Sequence, residues 1–410
     1  MKVLLLAPYP PFPPRGGGQQ RIYQFVRHLA REHEVWLLSF SPHAEADAAL
    51  RELRDRCHVI TVRAPRHTLP RRVRALVASP LPDMVLRGRS TFLAAELEDL
   101  LARVPFDVVQ AESIEMAQYG QRRATGPLAV YDAFNAEYLI QRRACLTDLR
   151  RPARWPLALY SLIQWQKLRR YEARLGRRFH GALAVSREDA ALLRRLAPDL
   201  PLAVVPNGVD TDWFCPLPAE PPATPYLLFT GTLDYRANID ALLWFAREVW
   251  PRLRAQHSGL RLVIVGRNPT AAVRALTQQP GIELVGEVDD VRPWFAAAAA
   301  YVAPMRIGGG VRLKVLEALA MQQAVVATSM ALEGIAGLRP DEHALVADDA
   351  PQFAAQVSAV LHDRQRARRL GSAGRALVRA AYDWRAIVPR MVAAWEAWRA
   401  AEPLLRPGHR

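Results

Sequence analysis

Short apolar runs alternate with amphipathic segments along most of this chain. Residues 2–7 (KVLLLA) have the length of a strand, and a proline- and glycine-rich loop over residues 8–18 follows them. In the next segment, QQRIYQFVRHLARE, Ile22, Phe25, Val26 and Leu29 recur at helical spacing, and HEVWLLSF is again an apolar run. Strand, helix and strand in this order predict a βαβ unit and therefore a parallel sheet.

The same alternation predicts two α/β domains. CHVITVRA, FDVVQAE, LAVYDA and GALAVS continue the first series, and YLLFTG, LRLVIVG, IELVGEV, AYVAPM and QAVVATS form a second one. The proline-rich stretch over residues 201–225 has the composition of a linker. We therefore predict Rossmann-like parallel-sheet domains over residues 1–205 and 206–381, with a helical, tryptophan-rich tail over residues 382–410.

Length and composition agree with this division and narrow the function. The 410 residues are too many for one ordinary core. The net charge of +15 is compatible with nucleic acid, an anionic membrane or a phosphorylated substrate, but no nucleic-acid-binding motif accompanies it, so nucleic acid is not expected. Three widely separated cysteines argue against a disulfide framework or a metal site. With no convincing signal peptide or membrane span, a cytoplasmic protein is expected.

Residues 135–180 are rich in arginine and aromatic side chains. Near the end of this segment, Leu168, Tyr171 and Leu175 share one helical face, while arginines cover the others. A helix packed on its own domain explains this pattern simply. The alternative is a surface that meets an anionic membrane or a lipid-linked pyrophosphate.

The stretch PMRIGGGVRLKVLEALAM carries the strongest chemical signal. Gly308, Gly309 and Gly310 allow backbone amides to approach an anion, and the helix predicted after them adds a favourable dipole. Arg312 and Lys314 can supply countercharge to a diphosphate. Glu317 lies one turn further on and is better suited to hydroxyl groups, as in a ribose.

Three further polar or glycine-rich loops follow predicted strands: RGGGQQ, TGTLDYRAN and GEVDD. The ends of parallel strands meet at one edge of a sheet, where α/β proteins bind ligands. Arg236 and Asn238 in the second loop are available to phosphate, and the backbone of the third, at Glu287 and Val288, can read a base edge. None of these loops is GxGxxG, a P-loop or a GxSxG elbow, which disfavours a dinucleotide oxidoreductase, an NTPase and an α/β-hydrolase.

Taken together, VPNGVDTDWFCP, FTGTLDYRANIDALLWF, LVGEVDDVRPWFAAAAAYVAP and GGGVRLKVLEALAMQQAVVATSMALEGI resemble the successive signatures of group 1 (family 4) retaining glycosyltransferases with the GT-B fold. LLLAPYPPFPPRGGGQQR and VYDAFNAEYLIQRR extend the resemblance weakly into the first domain. It implies two Rossmann-like domains facing a cleft, with a C-terminal helix that crosses back to the first domain. It also implies a UDP- or GDP-sugar as co-substrate and no bound metal.

The resemblance assigns roles by position. Arg312, Lys314 and Glu317 form the catalytic group, with Glu317 on the ribose and the two cations on the diphosphate. The donor contacts are Gly17, Gly18, Gly231, Arg236, Asn238, Glu287, Val288, Gly308, Gly309, Gly310, Val311 and these three residues. On the acceptor side, Asn135 and Glu137 lie in the segment that is similar to the family's His-Asn-x-Glu. Glu112, Asp132 and Glu137 are also candidates because they lie at or just after predicted strands of the first domain, although a cap or a surface carboxylate explains each acid at least as well.

Three positions depart from the family pattern. Gly309 stands where the first of two glutamates is often found, and Ala237 replaces a usual lysine, with Arg236 beside it as the expected substitute. Phe134 replaces a histidine on the acceptor side. In retaining transfer the leaving phosphate can itself take the acceptor proton, so the loss of this histidine need not abolish the chemistry.

The sequence therefore predicts transfer of a hexose to a glycan or lipid-linked acceptor, in cell-surface or exopolysaccharide synthesis. A non-catalytic sugar-nucleotide-binding subunit is an alternative, because of the missing glutamate and histidine. A GT-B epimerase is a third hypothesis, although the expected cluster of acids and histidines is not evident.

Overall fold

The computed structural model describes residues 1–14, 16–41, 51–65, 76, 78–122, 125–149, 152–220, 222–308 and 310–401. The chain divides into two compact units. Unit 1 contains Met1–Pro206 and Ile387–Arg410, and unit 2 contains Asn207–Ala386. Within the described part of the chain, no helix is long and apolar enough to cross a membrane.

Unit 1 is built on a seven-stranded sheet in which every strand pairing is parallel. The strand order is β3-β2-β1-β4-β5-β6-β7. The strands are β1 Lys2–Ala7, β2 Glu34–Ser41, β3 His58–Arg63, β4 Val108–Glu112, β5 Leu128–Ala133, β6 Gly181–Ala184 and β7 Leu202–Val204. The central residues of β1, β2, β4, β5 and β6 are buried and mostly apolar, as expected for strands covered on both faces, whereas the edge strands β3 and β7 are only partly buried.

Helices connect these strands and cover the sheet. They are α1 Gly17–Leu29, α2 Arg51–Arg54, α3 Asp83–Arg87, α4 Thr91–Arg103, α5 Ser113–Met116, α6 Glu137–Leu149, α7 Trp155–Glu172 and α8 Arg187–Leu196. Ser186 caps α8, because its hydroxyl accepts a hydrogen bond from the amide of Asp189 at 3.0 Å.

Unit 2 contains a six-stranded parallel sheet in the order β10-β9-β8-β11-β12-β13. The strands are β8 Tyr226–Thr230, β9 Arg261–Val265, β10 Ile282–Gly286, β11 Ala300–Ala303, β12 Val325–Ala327 and β13 Leu345–Val346. The helices are α9 Arg236–Trp244, α10 Trp250–Gln256, α11 Ala271–Arg274, α12 Arg292–Ala297, α13 Leu313–Ala320, α14 Ser329–Leu332, α15 Ala350–His362 and α16 Arg364–Ala381; a last helix, α17 Trp384–Ala401, has only its first three residues in this unit. The prediction of two parallel-sheet, Rossmann-like domains is confirmed.

Helix α17 from Ile387 onward belongs to unit 1. Within unit 1, the Trp395 indole donates to the Gln110 side chain at 3.1 Å, and Arg399 donates to Asp107 at 2.8 Å. Both partners lie on or beside β4. The C-terminal helix therefore packs on the first domain, as the family resemblance implies.

Two local expectations were wrong. The proline-rich stretch begins with β7, so that its first residues complete the sheet of unit 1 rather than form a free linker. The arginine-rich helix ends at Glu172, so Leu175 lies in a separate helical turn. Leu168 and Leu175 are both buried, but they pack in two different apolar clusters of unit 1.

Candidate active site

The polar loops of unit 2 follow parallel strands that end at Thr230, Val265, Gly286 and Ala303. Backbone hydrogen bonds join three of these loops. The Gly231 amide donates to the Val265 carbonyl at 3.0 Å, and the Gly266 amide donates to the Gly286 carbonyl at 2.7 Å. The sheet thus brings together loops that are distant in sequence, as expected at the carboxyl edge of a parallel sheet.

Gly231 lies at the most crowded point of this edge. Its φ of +152° lies in the region that favours glycine. A Cβ at this position would lie 2.8 Å from the amide nitrogen of Asn238 and 2.9 Å from Nζ of Lys314. Because a side chain has no room here, glycine allows the Asn238 and Lys314 side chains to reach the backbone of the loop.

Lys314 is the central cation of the site. It is the second residue of α13, and its Nζ donates to Oδ1 of Asn238 at 2.6 Å. The same amine lies 4.2 Å from the centre of the Phe229 ring. Removal of the amine from water lowers the pKa of Lys314 to about 7, and nearby Arg312 lowers this pKa further while Glu317 opposes the change. An added anion at this place would restore the charged form.

The glycine loop leads directly into α13. Gly308 and Gly310 have φ values of +135° and +71°, and a Cβ on Gly308 would collide with the guanidinium of Arg312. Arg312 itself donates to the Gly310 carbonyl at 3.2 Å. The positive φ values therefore favour glycine at both positions, and the missing Cβ of Gly308 leaves room for the Arg312 guanidinium. Gly309 lies outside the described residues.

Glu317 lies one turn after Lys314 on the same face of α13. Its charge acts on the Lys314 amine and on the hydroxyl of buried Tyr301, whose pKa is raised chiefly by burial and also by Glu317. Tyr301 and Thr230 share a hydrogen bond of 3.0 Å at the end of β8. The helix thus places Lys314 next to the loop that follows β8, with Glu317 close enough to act on the Lys314 amine and on Tyr301.

The other donor candidates of unit 2 lie around this group. Arg236 is the first residue of α9 and is partly buried. The cation next to Gly231 is Lys314 and not Arg236. Glu287 is exposed, Val288 packs on the core, and Val311 is buried. The loop after β10 is fixed at its far end, where the Arg292 guanidinium pairs with Asp290 at 2.7 Å and stacks on Trp213 at 3.5 Å.

In unit 1, a second polar group lies at the ends of β1, β4 and β5. Tyr9 follows β1, and burial together with the carboxylates of Glu115, Glu112, Glu137 and Asp132 raises the pKa of its hydroxyl. Asn135 donates to Glu137 at 3.3 Å. Burial raises the pKa of Glu137 to about 7. The predicted acceptor residues Asn135 and Glu137 therefore lie at the sheet edge with a partly buried carboxyl group.

Glu112 and Asp132 have a different environment, because their side chains are completely buried. Arg21, itself 1% exposed, donates to both oxygens of Asp132 at 2.6 and 2.7 Å and to the Pro206 carbonyl at 3.1 Å. Gln110 donates to Glu112 at 2.8 Å. Burial and the neighbouring Asp132 raise the pKa of Glu112 well above its usual range, which favours the uncharged form of this carboxyl group. These two acids support the fold from within, and the structure does not place them where an acceptor could touch them.

Gly17 and Gly18 form the first turn of α1. The first amides of a helix have no partner within the helix, so this turn is suited to an anion. A Cβ on Gly18 would collide with the Tyr9 hydroxyl and would lie 2.8 Å from the ring of Phe134. Phe134, at the position expected to carry histidine, therefore forms a wall against this turn.

Gly18→Ala should lower the free energy of unfolding by about 1–3 kcal/mol, because the new methyl group must displace Tyr9 or Phe134. Gly16→Ala is the matched control, since a Cβ there would meet only the Gln19 side chain at 3.6 Å. Its expected cost is below about 1 kcal/mol. Urea unfolding measures both. Equal costs for the two variants would contradict the close packing at Gly18.

Several site residues were not predicted from the sequence. Tyr9, Glu115 and Glu172 lie at the acidic edge of unit 1, and Glu172 accepts hydrogen bonds from the first two amides of α6, at 3.0 and 3.2 Å. Tyr9 directly follows the first strand, which is a usable signal. Glu172 lies 35 residues from Glu137 and has no such signal. Among the described residues, no group of three His, Cys, Asp or Glu side chains is placed to hold a metal ion.

Comparison with known families identifies the class of protein. A model described as Glycosyltransferase Family 4 matches residues 15–213, and one described as Glycosyl transferases group 1 matches residues 224–363. The two parallel sheets match those of glycosyltransferases with the GT-B fold. The chain belongs to the group 1 (family 4) glycosyltransferases.

Three solved structures are similar over nearly the whole chain. Sucrose-phosphate synthase from Thermosynechococcus elongatus is 18% identical with a TM-score of 0.69, covering 98% of this chain and 100% of that chain. Anabaena HepE in complex with UDP-glucose is 13% identical with a TM-score of 0.64, covering 97% and 100%. WaaG, a glycosyltransferase involved in lipopolysaccharide biosynthesis, is 16% identical with a TM-score of 0.61, covering 96% and 98%. At these identities the likeness shows the fold.

One curated relative is an uncharacterized 44.6 kDa protein in the cps region of Klebsiella pneumoniae. It is 27% identical over 139 residues, which is 32% of this chain and 36% of the relative. The chain thus spans about a third of the length of this curated relative.

Proposed function

We propose that this glycosyltransferase moves a hexose from a UDP- or GDP-sugar to a hydroxyl of a glycan or lipid-linked acceptor, with retention at the anomeric carbon. The observation that carries the proposal is the convergence of Lys314, Asn238 and Gly231, beside a glycine loop that opens a helix. Cations and backbone amides at one place are the chemistry that a diphosphate requires. The complex of HepE with UDP-glucose supports this donor class.

In this proposal, Lys314 and Arg312 stabilise the charge that develops on the leaving diphosphate, together with the amides at Gly308 and Gly310. Glu317 accepts hydrogen bonds from the ribose hydroxyls. The Lys314 amine takes the place of the loop lysine that Ala237 replaces, since its Nζ is next to the Gly231 backbone. Arg236 and Asn238 complete the polar surroundings, and the loop at Glu287 and Val288 faces the base. No step assigned here uses a metal ion.

On the acceptor side, we assign Asn135 and Glu137 to the incoming hydroxyl, with Gly17 and Gly18 as anion contacts at the start of α1. Glu137 is suited to proton exchange near neutral pH, because burial raises its pKa to about 7. We propose a cytoplasmic enzyme of cell-surface or exopolysaccharide synthesis, in peripheral contact with an anionic membrane. The role of WaaG in lipopolysaccharide biosynthesis and the cps-region relative support that setting.

A second candidate is a non-catalytic sugar-nucleotide-binding subunit. The observation that favours it is Phe134, which puts an apolar ring against the first turn of α1 instead of a histidine. Such a subunit would bind the donor through the same residues of unit 2. The two functions differ only in whether the sugar leaves the nucleotide.

A panel of UDP-, GDP- and ADP-sugars distinguishes them. The protein is incubated with each donor, with and without a membrane extract as the source of acceptor, and released nucleoside diphosphate is assayed with and without EDTA. Transfer predicts release with one donor class that depends on the extract and persists in EDTA. Donor binding without release under every condition would favour the non-catalytic subunit. If EDTA abolished the release of nucleoside diphosphate, the reaction would need a metal ion, but the protein would still be a transferase.

Donor binding should also depend on pH through Lys314. The folded pKa of this amine is lowered to about 7, so it loses its proton as the pH rises above 7, whereas a bound diphosphate favours the protonated form. Donor affinity should therefore fall by about tenfold or more between about pH 7 and about pH 9. Calorimetry at several pH values measures this change. The fall should be absent from Lys314→Met, and an equally steep fall in that variant would exclude Lys314 as its source.

A further inference from the structure

Large apolar side chains are exposed together on the two helices α6 and α7. Of the thirteen large hydrophobic residues exposed in the described part of the chain, seven belong to this pair of helices. Six of them form what we call the hairpin tip: Leu146, Leu149, Trp155, Leu157, Leu159 and Leu162. Six exposed large apolar side chains on two helices that pack against each other indicate an interaction site.

The tip is a defined part of the fold. Helices α6 and α7 pack against each other, and the Trp155 indole donates to the carbonyl of Leu149 at 3.3 Å, which joins the end of α6 to the start of α7. An ion pair of 3.3 Å between Arg154 and Asp148 crosses the same junction. The hairpin is anchored through buried Leu168 and Glu172, so its exposed apolar residues are not needed for its attachment.

The exposed face of α7 changes character along the helix. Trp155, Leu159 and Leu162 lie on one stripe at positions i, i+4 and i+7, and Arg169 continues the same stripe one further heptad along, with Arg170 beside it. The apolar end is therefore followed, roughly 10 Å further along the helix axis, by a basic end. Both arginines are exposed.

The charges around the tip have one sign. Helix α6 contributes exposed Arg142 and Arg143, whereas the acids Asp148 and Glu172 of the two helices are buried. The remaining acid, Glu137, is partly buried at the start of α6. The exposed face of the hairpin thus combines leucine and tryptophan with arginine and without exposed acids.

We infer that the hairpin tip inserts into the interface of an anionic lipid bilayer, with the arginines of α6 and α7 against the headgroups. Tryptophan and leucine partition into the interfacial region, and nearby arginines add attraction to anionic lipid. A second copy of the chain fits less well, because a symmetric contact through this face would bring two sets of arginines together. The hairpin tip is thus the surface that makes the membrane contact of the proposed function. Vesicle binding needs neither donor nor acceptor, so its outcome is independent of sugar transfer.

The test is co-sedimentation of the full chain with vesicles of phosphatidylcholine alone or mixed with phosphatidylglycerol. The parent should bind the mixed vesicles, and binding should weaken as salt rises from about 0.1 M to about 0.5 M. Trp155→Ser/Leu159→Ser should reduce the partition coefficient by roughly tenfold. Arg169→Gln/Arg170→Gln should remove most of the preference for anionic lipid.

Phe92→Ser is the matched control, because Phe92 is 78% exposed on α4 and is not part of the hairpin. It should bind vesicles like the parent, and a urea midpoint for each variant confirms that folding is retained. Unchanged binding in both double variants would overturn the inference. A parent that stays in solution with all vesicles would also overturn it, as would a tip variant that changes only self-association.

Discussion

Replacing Lys314 by methionine should lower the rate of sugar transfer by roughly 10²–10³-fold. The amine lies next to the Gly231 backbone and on the Phe229 ring, where a diphosphate would meet it away from bulk water. Methionine has a similar length and no charge, so it should keep the packing around Phe229 and Met305. Initial rates of nucleoside diphosphate release with the preferred donor measure the effect.

Arg247→Gln is the control for this variant. It also removes one positive charge from unit 2, but at a side chain that is 76% exposed and paired with Glu248. Its rate should stay within about twofold of the parent. If Lys314→Met retained parental kcat and KM, Lys314 could not be the diphosphate cation.

Asp132→Asn should lower the free energy of unfolding of unit 1 by about 3–5 kcal/mol. The substitution leaves the guanidinium of Arg21 buried without its carboxylate partner, and Arg21 also holds the Pro206 carbonyl. Urea unfolding measures the change. Tryptophan fluorescence can report it, because Trp395 is buried in the same unit and bonded to Gln110.

Glu112→Gln provides the comparison. Because burial and Asp132 raise the pKa of Glu112 and so favour its uncharged form, an uncharged amide of the same shape should cost less than about 1 kcal/mol. A double variant, Arg21→Met/Asp132→Leu, should recover part of the loss, since it removes both charges together. Equal losses for Asp132→Asn and Glu112→Gln would contradict the conclusion that Asp132, and not Glu112, is the partner that balances the buried Arg21 guanidinium.

The periodicity of apolar residues predicted most of the strands and helices, because each of these elements depends mainly on its local sequence. Runs such as KVLLLA and LRLVIVG are short and apolar, and they became β1 and β9 with bounds close to those expected. The linker was predicted less well. Proline density suggested a free segment, but Leu202–Val204 finds a partner in β6, and this pairing over 20 residues is a tertiary effect.

Local sequence also predicted one part of the candidate site, the segment from Gly308 to Glu317. The glycines, Arg312, Lys314 and Glu317 lie within one short segment, so helical spacing alone relates them. The contact of Lys314 with Asn238 joins residues 76 positions apart, and no local pattern contains it. The sequence analysis therefore named Arg236 as the substitute for the lysine that Ala237 replaces, because Arg236 is its neighbour in the chain. Similarly, Asp132 was predicted as an acceptor residue, but its side chain is buried against Arg21. These two residues are 111 positions apart, so no local pattern predicts their contact.

The central claim is that unit 2 holds the diphosphate of a sugar nucleotide at the start of α13. The most direct test is a crystal structure of the chain soaked with the donor that the panel selects. Our proposal predicts diphosphate oxygens within about 3 Å of Nζ of Lys314 and of the amides around Gly308 and Gly310, with the ribose hydroxyls on Glu317. A nucleotide bound elsewhere in the chain, with this loop and Lys314 unoccupied, would contradict it.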